Sequence, residues 1–304
     1  MLYNGLNQLI GNTPLLEARA YSSAKELNTA VFVKLECFNP AGSVKDRAAL
    51  YMINDAENKG LLKKGGTIVE PTSGNTGIAI SAICSARGYN AVIVMPENMS
   101  QERIKSMSAY GAKVVLTPAA LGMKGALDEA QKIRATTENA ITLGQFENPA
   151  NAMAHYMTTG PEIYADCGGK IDYFVAGAGT GGTVSGVGRF LKEKNPEIKV
   201  IAVQPLSSPV LSGGKPGGHK IQGIGANFVP KLFDRSVVDE IMSCSNEAAY
   251  ENSRLFAKTE GILVGISSGA ALSVAAEIAK ANPTKRVVCV APDSGSRYLS
   301  TDLY

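Results

Sequence analysis

Short β-branched runs alternate with helical patterns along the whole chain, and this alternation restricts the fold more than any other feature of the sequence. Most of the runs are apolar throughout, as expected for strands that are covered on both faces. The pattern predicts an α/β fold with mostly parallel sheets. We expect strands at 31–36, 67–70, 91–95, 113–117, 140–143, 173–176, 199–204 and 286–291, and helices near 45–59, 77–87, 100–110, 122–138, 151–165, 183–194, 247–260 and 269–281.

Composition and charge argue against several classes of protein. The chain has 304 residues, enough for two domains with a large buried core. With 30 Lys and Arg against 27 Asp and Glu, the net charge of +3 favours neither nucleic acid nor a membrane as a partner. The N-terminus shows no signal peptide, so we expect a cytoplasmic protein. Five scattered cysteines without a CxxC pair predict buried thiols and no metal site: Cys37, Cys84, Cys167, Cys244 and Cys289.

The first of four glycine- and serine-rich turns, Gly177–Thr183, has the sequence GAGTGGT and follows an expected strand. It fits the GxGxxG pattern of dinucleotide-binding folds, which also needs an acidic residue about 20 positions later to hold a ribose. Gln204 stands there instead, so the pattern loses its second half. Amides at a helix N-terminus, with two threonine hydroxyls, still suit a phosphate. A nicotinamide cofactor and a turn without a ligand are the alternatives.

The second turn, Gly265–Gly269 (GISSG), formally matches the GxSxG turn that carries the nucleophile of many hydrolases. In that fold the catalytic histidine follows the serine along the chain, whereas His155 and His219 both precede Ser267. A hydrolase triad is therefore disfavoured, and Ser267 is available for another role. The alternative is that Ser267 only caps the helix that follows it.

The other two turns offer groups for an amino-acid substrate. Pro71–Gly77 (PTSGNTG) places hydroxyl and amide donors after a strand, where they suit a carboxylate. In Asn39–Arg47 (NPAGSVKDR), Ser43 and Asp46 fit a capping box that puts Lys45 in the first turn of a helix. The helix dipole disfavours a cation there, which favours the neutral, nucleophilic amine. An ordinary turn and a solvated surface lysine are the respective alternatives.

A reactive lysine, a phosphate cradle and a carboxylate site are together what a pyridoxal-phosphate enzyme acting on an amino acid requires. The four turns and several further motifs occur in order along nearly the whole chain: IGNTPL, NPAGSVKDR, PTSGNTG, QFENPAN, TTGPEI, GAGTGGT, SPVLSGG, HKIQGIGA, GISSGA and RYLST. With this set the chain resembles the cysteine synthase (O-acetylserine sulfhydrylase) family, which belongs to the tryptophan-synthase-β-like, fold type II class of pyridoxal-phosphate enzymes.

The resemblance implies two domains, each with a central, mostly parallel twisted sheet flanked by helices. Pyridoxal 5'-phosphate would lie in the cleft between them. Residues 1–41 and 147–304 would form the large domain, which binds the cofactor and its phosphate. Residues 42–146 would form a smaller, mobile domain that carries the Schiff-base lysine and the substrate-carboxylate loop.

The resemblance also implies a role for each matching residue. Lys45 would form the Schiff base with the cofactor and later act as the general base. Asn75 would bond the ring hydroxyl oxygen, and Ser267 would face the pyridine nitrogen. The phosphate would lie on Gly179, Thr180, Gly181, Gly182 and Thr183, and the substrate on Thr72, Ser73, Gly74, Thr76, Gln145 and Gly225.

The implied reaction is a β-replacement in which O-acetyl-L-serine and sulfide give L-cysteine and acetate through an α-aminoacrylate intermediate. We expect a homodimer, and many members of the family also bind the C-terminal tail of serine acetyltransferase. One alternative is another acceptor or donor, such as homocysteine giving cystathionine or cysteine releasing hydrogen sulfide. A second alternative is a non-catalytic subunit that only docks an acetyltransferase, and Lys45 argues against it.

Two positions depart from the family pattern. Gln204 stands where a glutamate is common, and Asn227 stands where a glycine is common, near the expected entrance for the second substrate. A polar amide at Asn227 would position an acceptor other than sulfide. The alternative is a surface asparagine in a left-handed backbone conformation, which asparagine tolerates better than most residues.

Overall fold

The computed structural model of the protein describes residues 2–304. The strands in this range are β1 (Leu15–Ala18), β2 (Val31–Leu35), β3 (Thr67–Pro71), β4 (Asn90–Pro96), β5 (Lys113–Thr117), β6 (Ala140–Ile141), β7 (Tyr173–Gly177), β8 (Lys199–Pro205), β9 (Glu240–Cys244) and β10 (Val287–Ala291). The α-helices are α1 (Leu6–Leu9), α2 (Arg19–Ala24), α3 (Lys45–Asn58), α4 (Asn75–Arg87), α5 (Gln101–Ala109), α6 (Gly122–Thr136), α7 (Pro149–Ala154), α8 (Gly160–Asp166), α9 (Gly182–Lys194), α10 (Asn246–Glu260) and α11 (Ile266–Ala281).

The predicted α/β fold with mostly parallel sheets is confirmed. Every expected strand is present, with small shifts at its ends. The sequence analysis missed β1 and β9, which are short and lie at the two edges of one sheet. An edge strand is less enclosed than a central one, so it lacks the continuous apolar run that marks the others. The single helix expected at 151–165 is instead α7, a π-helical turn at His155–Thr159, and α8.

The chain divides into two compact units. The smaller unit combines the segment that ends at Ile10 with Lys45–Asn151, and the larger unit combines Gly11–Val44 with Ala152–Tyr304. The sequence-based division placed the segment before Ile10 in the large domain. The structure places it in the smaller unit, where Arg87 Nε of α4 donates to Asn7 Oδ1 at 3.2 Å.

The smaller unit has a four-stranded sheet in the order β5-β4-β3-β6, with every neighbouring pair parallel. Val69 of β3 and Val94 of β4 pack against Ala126 and Ala130 of α6. The chain leaves β3 toward β4 and β5, then returns to the other side of β3 to form β6. The carboxyl ends of β3 and β6 therefore meet where the strand order reverses, which is where open α/β sheets bind ligands.

The larger unit has a six-stranded sheet in the order β1-β2-β10-β7-β8-β9, parallel except for β1. Successive side chains of β7 enter different cores: Val175 packs in the cluster that contains α11, and Phe174 in the cluster that contains α9. Helices thus cover both faces of the sheet, which explains why its central strands are apolar throughout. The strand order reverses between β7 and β10, so the loop after β7 starts at a second binding edge.

No helix within residues 2–304 is both long enough and apolar enough to cross a membrane.

Candidate active site

In the smaller unit, the loop after β3 and the segment after β6 meet through side chains. Thr72 and Thr76 are buried, and the Thr76 hydroxyl donates to Gln145 Oε1 at 2.6 Å. Asn75 begins α4, so the N-terminus of that helix opens at the same edge. The predicted carboxylate-binding loop and Gln145 are therefore brought together, although 69 residues separate Thr76 from Gln145 along the chain.

The remaining residues of this loop are half-buried. The Gly74 amide lies 3.5 Å from Thr72 Oγ1, and Gly74 is the N-cap residue of α4. Arg103 Nη1 of α5 donates to the Ser73 carbonyl oxygen at 3.4 Å, so the middle of the loop is hydrogen-bonded to α5. Gly74 has no side chain to cap α4, and its carbonyl oxygen accepts the Gly77 amide at 3.1 Å.

Glu70, near the end of β3, is a functional candidate that the sequence analysis missed. Its buried carboxylate accepts backbone amides of Leu143 at 2.9 Å, Gly144 at 3.4 Å and Gln145 at 3.4 Å. Burial raises the pKa of Glu70 above its usual value, and these amides oppose the shift. The sequence feature that could have identified Glu70 is an acidic residue inside an otherwise apolar strand. Glu70 thus holds the backbone that presents the Gln145 side chain.

Lys45 is the first residue of α3 and is half-buried, in the first helical turn that its motif predicts. The residue before it, Val44, donates its amide to the Pro292 carbonyl oxygen at 2.8 Å. Ser43 forms an antiparallel bridge with Asp293. The chain that leads into Lys45 is therefore fixed to the segment that follows β10.

In the larger unit, the loop between β7 and α9 is a close-fitting cradle of backbone. Gly181 has φ +83° and is the N-cap of α9, and a Cβ there would lie 2.7 Å from the main chain of Phe233. A Cβ on Gly179 would lie 2.4 Å from the Gly223 carbonyl oxygen. Glycine is thus required at both positions. The first amides of α9 have no intrahelical partner, and together with the helix dipole they suit a phosphate.

The two threonines of the cradle have different partners. Thr180 is buried, and its Oγ1 accepts the Gly182 amide at 3.3 Å. Thr183 Oγ1 lies 3.2 Å from Nε2 of His155, whose Nδ1 lies 3.0 Å from Thr159 Oγ1. His155 is fully buried in the π-helical turn. Its proximity to Thr183 is a tertiary contact, so no local pattern in the sequence predicts it.

Ser267 is the second residue of α11 and is 3% exposed. Gly265 occupies the N-cap position, so the suggestion that Ser267 is only a helix cap is wrong. A Cβ on Gly223 would lie 3.6 Å from Ser267 Oγ, and the carbonyl oxygen of Gly223 faces Gly179. The structure therefore brings Ser267 and the phosphate cradle to one corner of the larger unit.

The next loop residues also lie against this corner. Gly225 has φ +74°, and its amide donates to the Ala178 carbonyl oxygen at 3.1 Å. His219 Nε2 lies 3.1 Å from the Gly225 carbonyl oxygen. Asn227 is exposed and its φ is not positive, so the left-handed explanation for this asparagine is wrong.

Gln204, at the end of β8, is occupied by contacts within the protein. Its Oε1 accepts the Leu211 amide at 3.0 Å, and its Nε2 donates to Ser212 Oγ and, at 3.3 Å, to Ser243 Oγ. This amide holds the start of the long loop after β8. The place of a ribose-binding acid is taken by a neutral side chain with a structural role.

The donor sets fit pyridoxal phosphate and an amino acid. The larger unit offers a phosphate cradle that a Cβ would fill, beside a buried hydroxyl, and no acidic residue occurs in Gly177–Thr183. The smaller unit offers a lysine at a helix start and a cluster of hydroxyl and amide donors. No group of three or more His, Cys, Asp or Glu side chains within residues 2–304 is arranged to hold a metal ion.

These features define an enzyme of the pyridoxal-phosphate-dependent class. The chain belongs to the pyridoxal-phosphate-dependent enzyme family, whose model matches residues 6–293, and its cofactor is pyridoxal phosphate. It is 52% identical to the cysteine synthase of Staphylococcus aureus strain Mu50 over 304 residues, which cover 99% of this chain and 97% of that protein. The nicotinamide and hydrolase alternatives are not supported.

Solved structures of similar enzymes match the chain along nearly its whole length. O-acetylserine sulfhydrylase isoform 3 from Entamoeba histolytica matches with a TM-score of 0.95 and 43% identity, over 100% of this chain and 92% of that chain. A hydrogen sulfide-producing enzyme from Fusobacterium nucleatum matches with a TM-score of 0.93 and 43% identity, over 98% of this chain and 100% of that one.

Proposed function

We propose that the protein converts O-acetyl-L-serine and sulfide into L-cysteine and acetate by β-replacement. One observation carries the proposal: Thr72, Thr76 and Gln145 form a hydroxyl and amide cluster at the edge where β3 and β6 meet. Such a cluster suits the carboxylate of an amino acid. Similarity to a cysteine synthase over nearly the whole chain supports the same substrates.

Pyridoxal phosphate, when bound, withdraws electrons from an attached amino acid, so that Cα can lose a proton and Cβ can lose its leaving group. In this proposal, Lys45 is the attachment point of the cofactor, and its Nζ later accepts the Cα proton. Its place at the start of α3 supports this role, because a helix N-terminus disfavours the protonated amine. Asn75 would donate a hydrogen bond to the ring hydroxyl oxygen.

In the larger unit, we assign the phosphate to the amides of Gly179–Thr183 and the pyridine nitrogen to Ser267. A serine hydroxyl is neutral, and it stabilises a positive ring nitrogen less than a carboxylate does. The ring would therefore withdraw electrons from the substrate only moderately. Moderate withdrawal favours loss of the β-substituent over reactions that need a fully protonated ring.

We assign the substrate carboxylate to Thr72, Ser73, Gly74, Thr76 and Gln145, and we assign Gly225 to the same substrate. Glu70 supports this arrangement because it holds the backbone of Gln145. Oriented donors keep the amino acid in one pose while Lys45 reaches its α-proton. Exclusion of water from this site would also protect the reacting substrate from hydrolysis.

The remaining parts of the proposal concern the cell. We place the enzyme in the cytoplasm as a homodimer that also binds the tail of a serine acetyltransferase. Free thiols at all five cysteines are consistent with a reducing compartment. Light scattering that gave 31.8 kDa rather than twice that mass would contradict the dimer, and a titration with acetyltransferase tail peptide that showed no binding would contradict the partner.

A second candidate function differs only in the acceptor or donor. Asn227 places an exposed amide where the family resemblance leads us to expect glycine, and its backbone conformation does not explain it. The similar enzyme from Fusobacterium nucleatum produces hydrogen sulfide. This candidate uses the same site with homocysteine as acceptor, giving cystathionine, or with cysteine as the donor that releases hydrogen sulfide.

Product analysis distinguishes these functions. The purified enzyme with pyridoxal phosphate is assayed in three ways: with O-acetyl-L-serine and sulfide, with O-acetyl-L-serine and homocysteine, and with cysteine alone. The initial rates of the three reactions are compared. We expect the highest kcat/KM for L-cysteine formation from sulfide. A higher value with homocysteine or with cysteine alone would favour the second candidate, and no turnover with any of them would contradict both.

A further inference from the structure

Val264, two residues before α11, is fully buried, and its main-chain groups need partners. It bridges Ser294 in an antiparallel pair. The bonds of this pair belong to neighbouring residues: Gly265 N donates to Asp293 O at 3.1 Å, and Gly295 N donates to Leu263 O at 2.9 Å. In this register, the N–H and C=O of Val264 itself point away from the paired segment.

The side chain of Tyr304 supplies both partners. The Val264 amide donates to Tyr304 Oη at 3.1 Å, and the Tyr304 hydroxyl donates to the Val264 carbonyl oxygen at 2.6 Å. A hydroxyl can donate and accept at once, so one side chain replaces a missing strand. Burial raises the pKa of Tyr304, which keeps the hydroxyl protonated and able to donate.

The segment that carries Tyr304 is itself firmly held. Leu303 is fully buried, and Arg254 donates to the carbonyl oxygens of Asp302 and Leu303. The Asp302 carboxylate accepts bonds from Lys220 Nζ and Tyr250 Oη, each at 3.1 Å. Tyr304 therefore presents its hydroxyl from a fixed backbone.

Val264 leads directly into the turn that presents Ser267. Gly265 is the N-cap of α11, and its carbonyl oxygen accepts the Ser253 hydroxyl at 2.9 Å. A Cβ at Gly265 would lie 2.0 Å from Asp293 Oδ1, so this turn has little space in which to move. Asp293, Ser253 and Tyr304 thus hold the turn from three directions.

We propose that Tyr304 is a positioning residue for Ser267, which acts through the backbone of Val264 and Gly265. The proposal rests on the proposed role of Ser267 at the cofactor ring. Without the Tyr304 hydroxyl, two buried main-chain groups of Val264 lose their partner. The start of α11 then loosens, and the environment of the ring changes although no group that touches the cofactor has been altered.

The test compares Tyr304→Phe with a control variant that removes a tyrosine hydroxyl in contact with the other end of α11. Tyr173 Oη donates to Asn282 Oδ1 at 3.4 Å, and Asn282 is the C-cap of α11, at its other end. Tyr173→Phe therefore removes the same chemical group from the far end of the helix. Gly295→Ala is a second perturbing variant, because its Cβ would lie 2.5 Å from Tyr304 Oη and 2.9 Å from the Val264 nitrogen and would therefore disturb the contact between them.

Three readouts are measured: amide hydrogen exchange over residues 263–269 of the apoprotein, the Kd of pyridoxal phosphate, and the absorption spectrum of the bound cofactor. Tyr304→Phe and Gly295→Ala should speed exchange and weaken cofactor binding by roughly two- to tenfold, which corresponds to the contribution of one of the two hydrogen bonds to Val264. Both should shift the spectrum in the direction of Ser267→Ala. Tyr173→Phe should leave all three readouts at the parent values.

The outcomes separate this proposal from the proposed function. If Ser267→Ala shifts the spectrum and Tyr304→Phe does not, the positioning role is contradicted and the assignment of Ser267 stands. If Ser267→Ala leaves the spectrum unchanged, the role of Ser267 is contradicted, and the positioning proposal falls with it. If Tyr173→Phe has the same effect as Tyr304→Phe, the effect is general to α11 and the proposal is also overturned.

Discussion

At the scale of a single residue, the proposed chemistry depends most on Lys45. It begins α3, where the helix dipole disfavours a positive charge. Lys45→Ala removes both the attachment point and the proposed base, so turnover should fall by about 10²- to 10⁴-fold or more. Initial rates of L-cysteine formation measure this. Lys59→Ala, at an exposed lysine just after the same helix, is the control and should keep parent activity. Activity of Lys45→Ala within tenfold of the parent would contradict the assignment.

Asn227 is the residue that we propose to influence the choice of acceptor. If its exposed amide positions a larger acceptor, Asn227→Gly should lower kcat/KM for homocysteine relative to sulfide. The ratio of the two kcat/KM values is the measurement, since it is insensitive to the amount of active enzyme. An unchanged ratio would show that Asn227 has no part in acceptor choice.

Cys37 is half-buried, whereas the other four cysteines are buried. Burial and the nearby charge of Asp293 raise the pKa of Cys37 to about 11, from a usual 9.0. A raised pKa keeps the thiol protonated, so at pH 8 the thiolate fraction should be about a hundredfold lower than that of a free cysteine. Alkylation by iodoacetamide, followed by mass spectrometry, should therefore be slow at pH 8 and accelerate at higher pH. Modification as fast as that of glutathione would refute this.

At the scale of the element, the cradle before α9 depends on glycine for two separate reasons. At Gly181 a Cβ faces both an unfavourable φ of +83° and the main chain of Phe233 at 2.7 Å. Gly213 has a similar φ of +85° with nothing within 4 Å, and is therefore the matched control. Each Gly→Ala change should cost about 1–2 kcal/mol for the backbone conformation.

Only Gly181→Ala should also weaken pyridoxal phosphate binding, because only there must the cradle shift. Cofactor titration and thermal unfolding of both variants test this. Equal cofactor affinity in the two variants would mean that the cradle tolerates displacement or does not hold the phosphate.

Elements also show how far sequence reasoning reaches. The central strands were predictable because burial on both faces leaves an apolar run, as in β7 and β8. Edge strand β1 and the π-helical turn at His155–Thr159 have no such local signature. The contact of Glu70 with the backbone of Gln145 spans 75 residues, and that of His155 with Thr183 spans 28. Such contacts depend on which strands become neighbours, and no local pattern encodes that.

At the scale of the molecule, sheet topology explains where the glycine- and hydroxyl-rich motifs lie in each unit. In each unit a glycine- and hydroxyl-rich loop leaves a parallel strand at the point where the strand order reverses: after β3 in the smaller unit and after β7 in the larger. The motifs themselves were visible in the sequence, and so was the cofactor that they suit. The segment that ends at Ile10 groups with the smaller unit, and the contact between Asn7 and Arg87 within that unit is one that the sequence does not reveal.

The absorption spectrum of the purified protein is the most direct test of the proposed β-replacement. We expect a yellow protein whose cofactor band shifts when O-acetyl-L-serine is added and returns to its starting position when sulfide is added. That cycle would report the cofactor, the donor and the acceptor in one cuvette. A protein that stays colourless after incubation with pyridoxal phosphate, or a cofactor band that O-acetyl-L-serine does not change, would contradict the account.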